Sequence, residues 1–136
     1  MAEQALDLSL EALARAADLC HPPWQHAVRV VNPETQGPDE AVSPGRVVLD
    51  LPLRLEARDG DGSRRPEHDL ELELYRSGAS LNLMLSRVQD EEAPILWHGN
   101  HPLWIQAADG RPCERPPDGA PLEALCRRVR ALLSGD

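Results

Sequence analysis

Leucine recurs at every second position in three successive segments between Arg46 and Val88. The alternating apolar positions are Val47, Leu49, Leu51, Leu53, Leu55 and Ala57 in the first segment, Leu70, Leu72 and Leu74 in the second, and Leu81, Leu83 and Leu85 in the third. Because successive side chains of a strand point to opposite faces, each segment has one apolar side and one polar side. The pattern predicts an antiparallel sheet with one face on a core and the other toward water.

Helical spacing is found on both sides of this region. Residues Leu6, Leu10, Leu13, Ala17 and Cys20 are three and four apart. They predict a helix from Asp7 or Ser9 to Cys20, in which Ser9 caps the first turn and Pro22 and Pro23 prevent continuation. A second helix is predicted near the C-terminus, where Pro121 lies in the first turn and Asp118 is the candidate cap. Its apolar face is Leu122, Leu125, Cys126, Val129, Leu132 and Leu133.

These elements predict one α+β domain covering residues 1–136. It has an antiparallel β-sheet of four to six strands, with the N-terminal and C-terminal helices packed on one face. A further strand is predicted between Trp24 and Asn32. Residues 32–45 are rich in Pro, Gly and acidic residues, so we expect a mobile, solvated loop. Pro52 has no N–H to donate, which predicts that its strand lies at an edge or is bulged.

A hairpin is predicted where two apolar runs flank Gly99-Asn100, between Ile95 and Ile105. A two-residue turn at this dipeptide would place His98 opposite His101, and Leu96 opposite Leu103, on one face. The other face would then carry Ile95, Trp97, Pro102 and Trp104.

Composition excludes several classes of function. All 14 basic residues are Arg, so the chain has no lysine for a Schiff base, for attachment of pyridoxal phosphate or for a phosphate-binding P-loop. A net charge of −9 disfavours binding to nucleic acid and to anionic membranes. The N-terminal residues do not resemble a signal peptide, and no transmembrane segment is found. Three cysteines without an export signal predict reduced thiols in the cytoplasm.

Zinc binding is the alternative that the histidines raise. His98 and His101 are two residues apart with Cys113 further on, and Cys20, His21 and His26 form a second group. A zinc site needs four N or S ligands, and neither group supplies a complete pattern. The chain also lacks a Gly-x-Ser-x-Gly motif and a Gly-rich phosphate loop. We therefore predict no catalytic residue and no cofactor, and we keep a zinc protein or small enzyme centred on His98 and His101 as an alternative.

Protein binding is the function that this sequence favours. The candidate partner-binding residues are Trp97, Pro102 and Trp104 on the hairpin, and Glu71, Glu73 and Tyr75 on the polar side of the second leucine segment. Exposed aromatic residues bury a large area at little entropic cost, and carboxylates suit a basic partner. Because the chain has no Phe, packing of the hairpin tryptophans in the core is the favoured alternative to their exposure. A domain that binds a small ligand in a cavity ringed by Trp24, Trp97 or Trp104 is the second alternative. The oligomeric state is left open, a dimer included.

A small acidic α+β chain with this order of elements is similar to the type III secretion chaperones, which bind unfolded segments of their effectors. The similarity concerns size, acidity and element order and involves no residue motif. It implies a chaperone-like or assembly role.

Overall fold

A computed structural model of the chain describes residues 5–31, 46–49, 51–77, 80–117 and 119–134. Within these ranges the protein is α+β, with two α-helices, a seven-stranded antiparallel sheet and a separate pair of strands. The prediction of four to six strands is therefore too low. The predicted loop at 32–45 and the predicted cap Asp118 lie outside the described residues.

The N-terminal helix, α1, spans Leu10–Cys20. The Oγ of Ser9 accepts a hydrogen bond of 3.0 Å from the backbone N–H of Ala12, which confirms the predicted cap. A short strand that was not predicted, β1 (Ala5–Ser9), runs directly into this cap. The buried face of α1 consists of Leu13, Ala16 and Ala17.

The large sheet follows the order of the chain. Its strands are β2 (Gln25–Val30), β4 (Leu53–Arg58), β5 (Leu70–Ser77), β6 (Ser80–Arg87), β7 (Ile95–His98), β8 (Pro102–Ile105) and β9 (Pro112–Cys113). Neighbours in that order pair antiparallel, while β1 pairs with β3 (Arg46–Val48) in the second sheet. The three-strand meander predicted from the leucine pattern is confirmed as β4, β5 and β6.

The leucines of the meander line up across the sheet. Leu53 pairs with Leu72, Leu72 with Leu85, and Leu85 with Leu96. All four of these leucines are completely buried, as are Leu55, Leu70, Leu74 and Leu83. We call this side of the sheet the leucine face. Burial of one leucine contributes about 1.5–3 kcal/mol to stability, so this alignment fixes the register of the strands. The predicted orientation of the leucines is confirmed.

The segment predicted as one strand from 46 to 57 is divided in two. β3 pairs with β1, whereas β4 begins at Leu53 and lies between β2 and β5. Pro52 stands directly before β4, and its carbonyl oxygen accepts a hydrogen bond of 2.8 Å from the N–H of Val31. Pro52 therefore contributes its carbonyl group as an acceptor, and its position does not require the N–H that proline lacks. The expectation that Pro52 marks an edge or a bulge is wrong for β4, which is an interior strand.

The hairpin of β7 and β8 has a register that differs by one residue from the predicted one. His98 pairs with Pro102 and Trp97 with Leu103, so the turn contains three residues, 99–101. Leu96 pairs with Trp104 on the leucine face. The predicted pairs of His98 with His101 and of Leu96 with Leu103 are therefore wrong. Because side chains alternate along a strand, this one-residue shift places Trp97 and Trp104 on opposite faces of the sheet.

The C-terminal helix, α2, spans Gly119–Ser134 and contacts α1, β1, β6 and β7. Its buried apolar residues are Leu122, Leu125, Cys126 and Val129. These residues belong to the same hydrophobic cluster as the buried residues of α1 and the leucine face. Leu132 was predicted on the buried side of the helix, but 38% of its surface is exposed.

The connection between β4 and β5 is held by the buried carboxylate of Asp69. Its Oδ1 accepts a hydrogen bond of 2.8 Å from the backbone N–H of Ala57, and the guanidinium of Arg64 donates to both of its oxygens at 2.9 Å. Burial raises the pKa of Asp69, but the hydrogen bonds from Arg64 and Ala57 outweigh burial, and the net pKa is lowered. The carboxylate is therefore ionised at neutral pH and ties the long connection to the end of β4.

Candidate protein-binding face

The side of the sheet opposite the leucine face, which we call the outer face, carries no fully buried side chain. By alternation from the observed register, it consists of Gln25, Ala27 and Arg29 on β2, Arg54, Glu56 and Arg58 on β4, Glu71, Glu73 and Tyr75 on β5, Asn82, Met84 and Ser86 on β6, Ile95 and Trp97 on β7, and Leu103 and Ile105 on β8. Charged residues therefore occupy the β2–β5 half of the face, and mostly apolar residues occupy the β6–β8 half.

The charged half is electrically balanced. It contains three arginines, Arg29, Arg54 and Arg58, and three glutamates, Glu56, Glu71 and Glu73. Arg29 pairs with Glu56 at 2.8 Å, and Arg54 pairs with Glu71 at 3.3 Å. Exposed pairs of this kind contribute at most about 1 kcal/mol each, so they align strands more than they stabilise them. The charged half as a whole is therefore not acidic.

The apolar half forms a continuous patch, which we call the apolar patch: Tyr75, Met84, Ile95, Trp97, Leu103 and Ile105. Met84, Trp97 and Leu103 lie side by side in one row across β6, β7 and β8. Ile95 and Ile105 pair in the next row. The rings of Tyr75 and Trp97 are nearly parallel, with centroids 6.1 Å apart, and the hydroxyl of Tyr75 donates to Glu73. Leu103 is 44% exposed, and the other five residues of the patch are half-buried.

The predicted partner-binding residues fall on two different surfaces. Trp97, Tyr75, Glu71 and Glu73 share the outer face, whereas Pro102 and Trp104 occupy leucine-face positions. The predicted surface of Trp97, Pro102 and Trp104 therefore does not exist as one patch. Sequence reasoning missed Met84 and Leu103. Met84 alternates with the leucines of the third segment, and the predicted two-residue turn placed Leu103 on the face opposite Trp97.

Trp104 is a core residue that joins the sheet to α2. Only 4% of its surface is exposed, and its Nε1–H donates to Oε2 of Glu123 at 2.6 Å. The other oxygen of Glu123 accepts a hydrogen bond of 3.3 Å from Arg115. Gly119 packs closely at the start of α2, where an added Cβ would lie 2.8 Å from the Trp104 ring. Glu123 thus supplies the buried acceptor that the indole N–H of Trp104 needs within the core.

The three tryptophans lie at separate places and do not ring one cavity. Trp24 stacks on His68, with ring centroids 4.1 Å apart, beside the β4–β5 connection. Trp97 lies on the outer face, and Trp104 lies under α2. The alternative of a small-ligand cavity beside Trp24, Trp97 or Trp104 therefore concerns three separate places.

His98 and His101 do not form the pair on which the zinc hypothesis rests. His98 is buried, its Nδ1–H donates to the carbonyl oxygen of Gly99 at 3.0 Å, and its Nε2 has no hydrogen-bond partner. Burial lowers the pKa of His98, as do the nearby Arg130 and Arg127, against the opposing effect of the hydrogen bond to Gly99. His101 is exposed in the turn. Across the described ranges, no group of three His, Cys, Asp or Glu side chains is arranged to hold a metal ion.

The second histidine group is joined by a carboxylate that the sequence did not reveal. Oδ1 of Asp18 accepts hydrogen bonds from both Nδ1 and the backbone N–H of His26, at 3.0 and 2.7 Å. Nε2 of His26 in turn lies 3.1 Å from Nδ1 of His21. The chain of contacts fixes the ring of His26 and ties the end of α1 to the start of β2. The imidazoles are thus engaged with each other, and Cys20 takes no part in these contacts.

The thiols do not form a reactive centre. Burial raises the pKa of Cys126 to about 12, and burial also raises the pKa of Cys20. A thiol that stays protonated is a poor nucleophile. These two cysteines therefore behave as small apolar side chains.

An open cleft of about 500 Å³ adjoins the apolar patch. It lies between the β6–β7 and β8–β9 connections and is lined by Glu91, Glu92, Pro94, Gln106, Ala107 and Ala108. Pro94 directly precedes Ile95 of the patch, and Gln106 directly follows Ile105, so the cleft begins where the second apolar row ends.

The architecture defines an α+β protein built on an antiparallel meander with one leucine-lined face and one outer face. The chain belongs to the family described as Domain of unknown function (DUF8659), which matches residues 10–132 and so includes every strand of the large sheet and nearly all of both helices. Neither curated proteins nor solved structures give a match to the chain. In the portion of the chain that the structure describes, neither helix has the length and apolar character needed to cross a bilayer.

Proposed function

We propose that this chain is a non-enzymatic protein-binding module, and that the outer face of its sheet binds a segment of a partner polypeptide. In this arrangement both helices pack on the leucine face, and the outer face is left for the partner. The partner contributes apolar side chains that cover the apolar patch. A chaperone-like or assembly role in the cytoplasm is consistent with this mode of binding.

The observation that carries the proposal is the apolar patch itself. The core is already supplied by the leucine face, so Met84, Trp97 and Leu103 are not required on the outer side to bury the sheet. Contiguous apolar side chains that stay partly exposed, as Leu103 and the half-buried Met84 and Trp97 do, are characteristic of interaction surfaces, and tryptophan and tyrosine are enriched among the residues that dominate binding energy. The charged half of the outer face then forms a polar border, as is usual around the centre of an interface.

Site-specific crosslinking provides the test. A photo-crosslinking amino acid replaces Leu103 in the full chain, and a matched variant carries it at Leu19, a 67% exposed leucine on α1. After irradiation in the native cell, we expect an adduct with another polypeptide from position 103 and none from position 19.

Binding by the identified polypeptide then decides the question. We expect Leu103→Asp to weaken its affinity for the purified chain at least about tenfold, which corresponds to about 1.4 kcal/mol, while Leu19→Asp leaves the affinity unchanged. Equal adducts from both positions, an adduct between two copies of this chain, or unchanged affinity of the Leu103→Asp variant would each contradict the proposal.

A further inference from the structure

We propose that the cleft beside the apolar patch binds a basic side chain, arginine or lysine, of the same partner segment that covers the patch. This inference rests on the proposed function and adds the chemistry of the partner. It predicts a partner segment in which a cationic residue lies next to apolar residues.

Position is the first argument. Pro94 and Gln106 of the cleft are chain neighbours of Ile95 and Ile105, which form one apolar row. The row of Trp97 and Leu103 lies two residues further along the same strands, a distance of about 7 Å. A short partner segment that runs along β7 and β8 therefore reaches both apolar rows and the cleft.

Charge is the second argument. Glu91 and Glu92 line the cleft, and in the described part of the chain their carboxylates form no ion pair. The outer face differs, because its Arg29 and Arg54 are paired with glutamates. Arg111, the basic residue of the neighbouring β8–β9 connection, lies 3.9 Å from Asp109 and is absent from the cleft lining. The cleft is thus a negative site at one end of an apolar surface.

Physical complementarity then selects the occupant. A basic side chain places its apolar stem along Pro94, Ala107 and Ala108 while its charged head reaches the two carboxylates. The net charge of −9 also attracts a basic segment and repels an acidic one at long range. Neutral apolar segments would cover the patch and leave both carboxylates without a partner.

Peptide selection tests the inference on the full chain. A library of short random peptides is selected against the immobilised wild-type protein, and the enriched peptides are measured by calorimetry against three variants. These are Glu91→Gln with Glu92→Gln in the cleft, Asp61→Asn with Glu67→Gln as a control of equal charge change on the exposed β4–β5 connection, and Leu103→Asp in the apolar patch. Circular dichroism verifies that each variant is folded.

We expect enriched peptides to combine arginine or lysine with apolar residues, and the cleft variant to bind them about 2- to 30-fold more weakly than the control variant, the sum expected for two exposed charge pairs. The difference should shrink in high salt. Enrichment of peptides without basic residues, or equal affinities of the cleft and control variants, would overturn the inference and leave the proposed function standing. Peptide binding that is indifferent to Leu103→Asp would overturn the proposed function itself.

Discussion

Replacing each hairpin tryptophan separately distinguishes a core residue from a binding residue. Trp104 is 4% exposed and its Nε1–H is bonded to the buried Glu123, so Trp104→Ala removes a large buried ring and the partner of a buried carboxylate. Substitutions of this kind cost about 3–5 kcal/mol. Trp104→Phe retains most of the ring but loses the bond to a charged acceptor, which is worth about 1.5–3 kcal/mol.

Trp97→Ala should behave in the opposite way. Trp97 is half-buried on the outer face, where it stacks on Tyr75. Its removal forfeits an aromatic contact of about 0.5–1.5 kcal/mol, and its half-buried ring contributes less burial than the ring of Trp104. We therefore expect Trp97→Ala to lower the free energy of unfolding by less than the about 3–5 kcal/mol of Trp104→Ala, while abolishing the crosslink from position 103.

Urea denaturation followed by circular dichroism measures both effects at one pH and one salt concentration. The slope of the transition should be the same for the wild type and the variants, so that the midpoints report stability directly. If Trp97→Ala destabilises the protein as much as Trp104→Ala, then Trp97 is a core residue and the outer face is not a free surface. That result would refute the distinction between the two faces as binding and packing surfaces.

Three further outcomes follow from buried groups. Asp69→Asn should cost about 1–3 kcal/mol at pH 7, measured by urea denaturation, because the paired Arg64 loses its ionised acceptor. The pKa of Asp69 is lowered in the folded protein, so its contribution to the free energy of unfolding is present above the unfolded pKa of about 3.9 and is lost as the pH falls through the folded pKa. The stabilities of the wild type and of Asp69→Asn should therefore converge in acid. A difference that stays constant with pH would contradict the ionised state of Asp69. Cys126 should react with a thiol reagent at pH 8 only after unfolding, because it is buried and its pKa is about 12, whereas the partly exposed Cys113 should react in the native state; mass spectrometry identifies the labelled sites. Gly119→Ala should lower the melting temperature, because its Cβ would lie 2.8 Å from the Trp104 ring, and a melting temperature equal to that of the wild type would show that this contact relaxes freely.

The sequence predicted correctly the elements whose hydrophobic pattern is repeated over many residues. Three segments of alternating leucine specify the same orientation, and a shift of any strand by one residue would expose its whole apolar side. The Ser9 cap was predictable because it depends only on residues within one turn of the helix. Strand β9 was missed because two residues are too few to show alternation.

The candidate site was harder to predict because it depended on one turn. A two-residue turn at Gly99-Asn100 and the observed three-residue turn at 99–101 both fit the local sequence. The two-residue turn would place Trp97 and Trp104 on the same face of the sheet, whereas the three-residue turn places them on opposite faces. The contact of Asp18 with His26 could not be predicted for a different reason. It joins a helix to a strand across a chain reversal, and no periodic pattern in the sequence indicates such a contact.

The order of the meander has a consequence for how this protein is made. Strands β5 to β9 each pair with the strand immediately before them in the chain, so the sheet can assemble strand by strand as a ribosome delivers it. Helix α2, which packs against the leucines near β6 and β7, is synthesised after all of those strands. A growing chain therefore presents part of its leucine face to solvent until translation has passed that helix, and during this interval the exposed leucines favour aggregation.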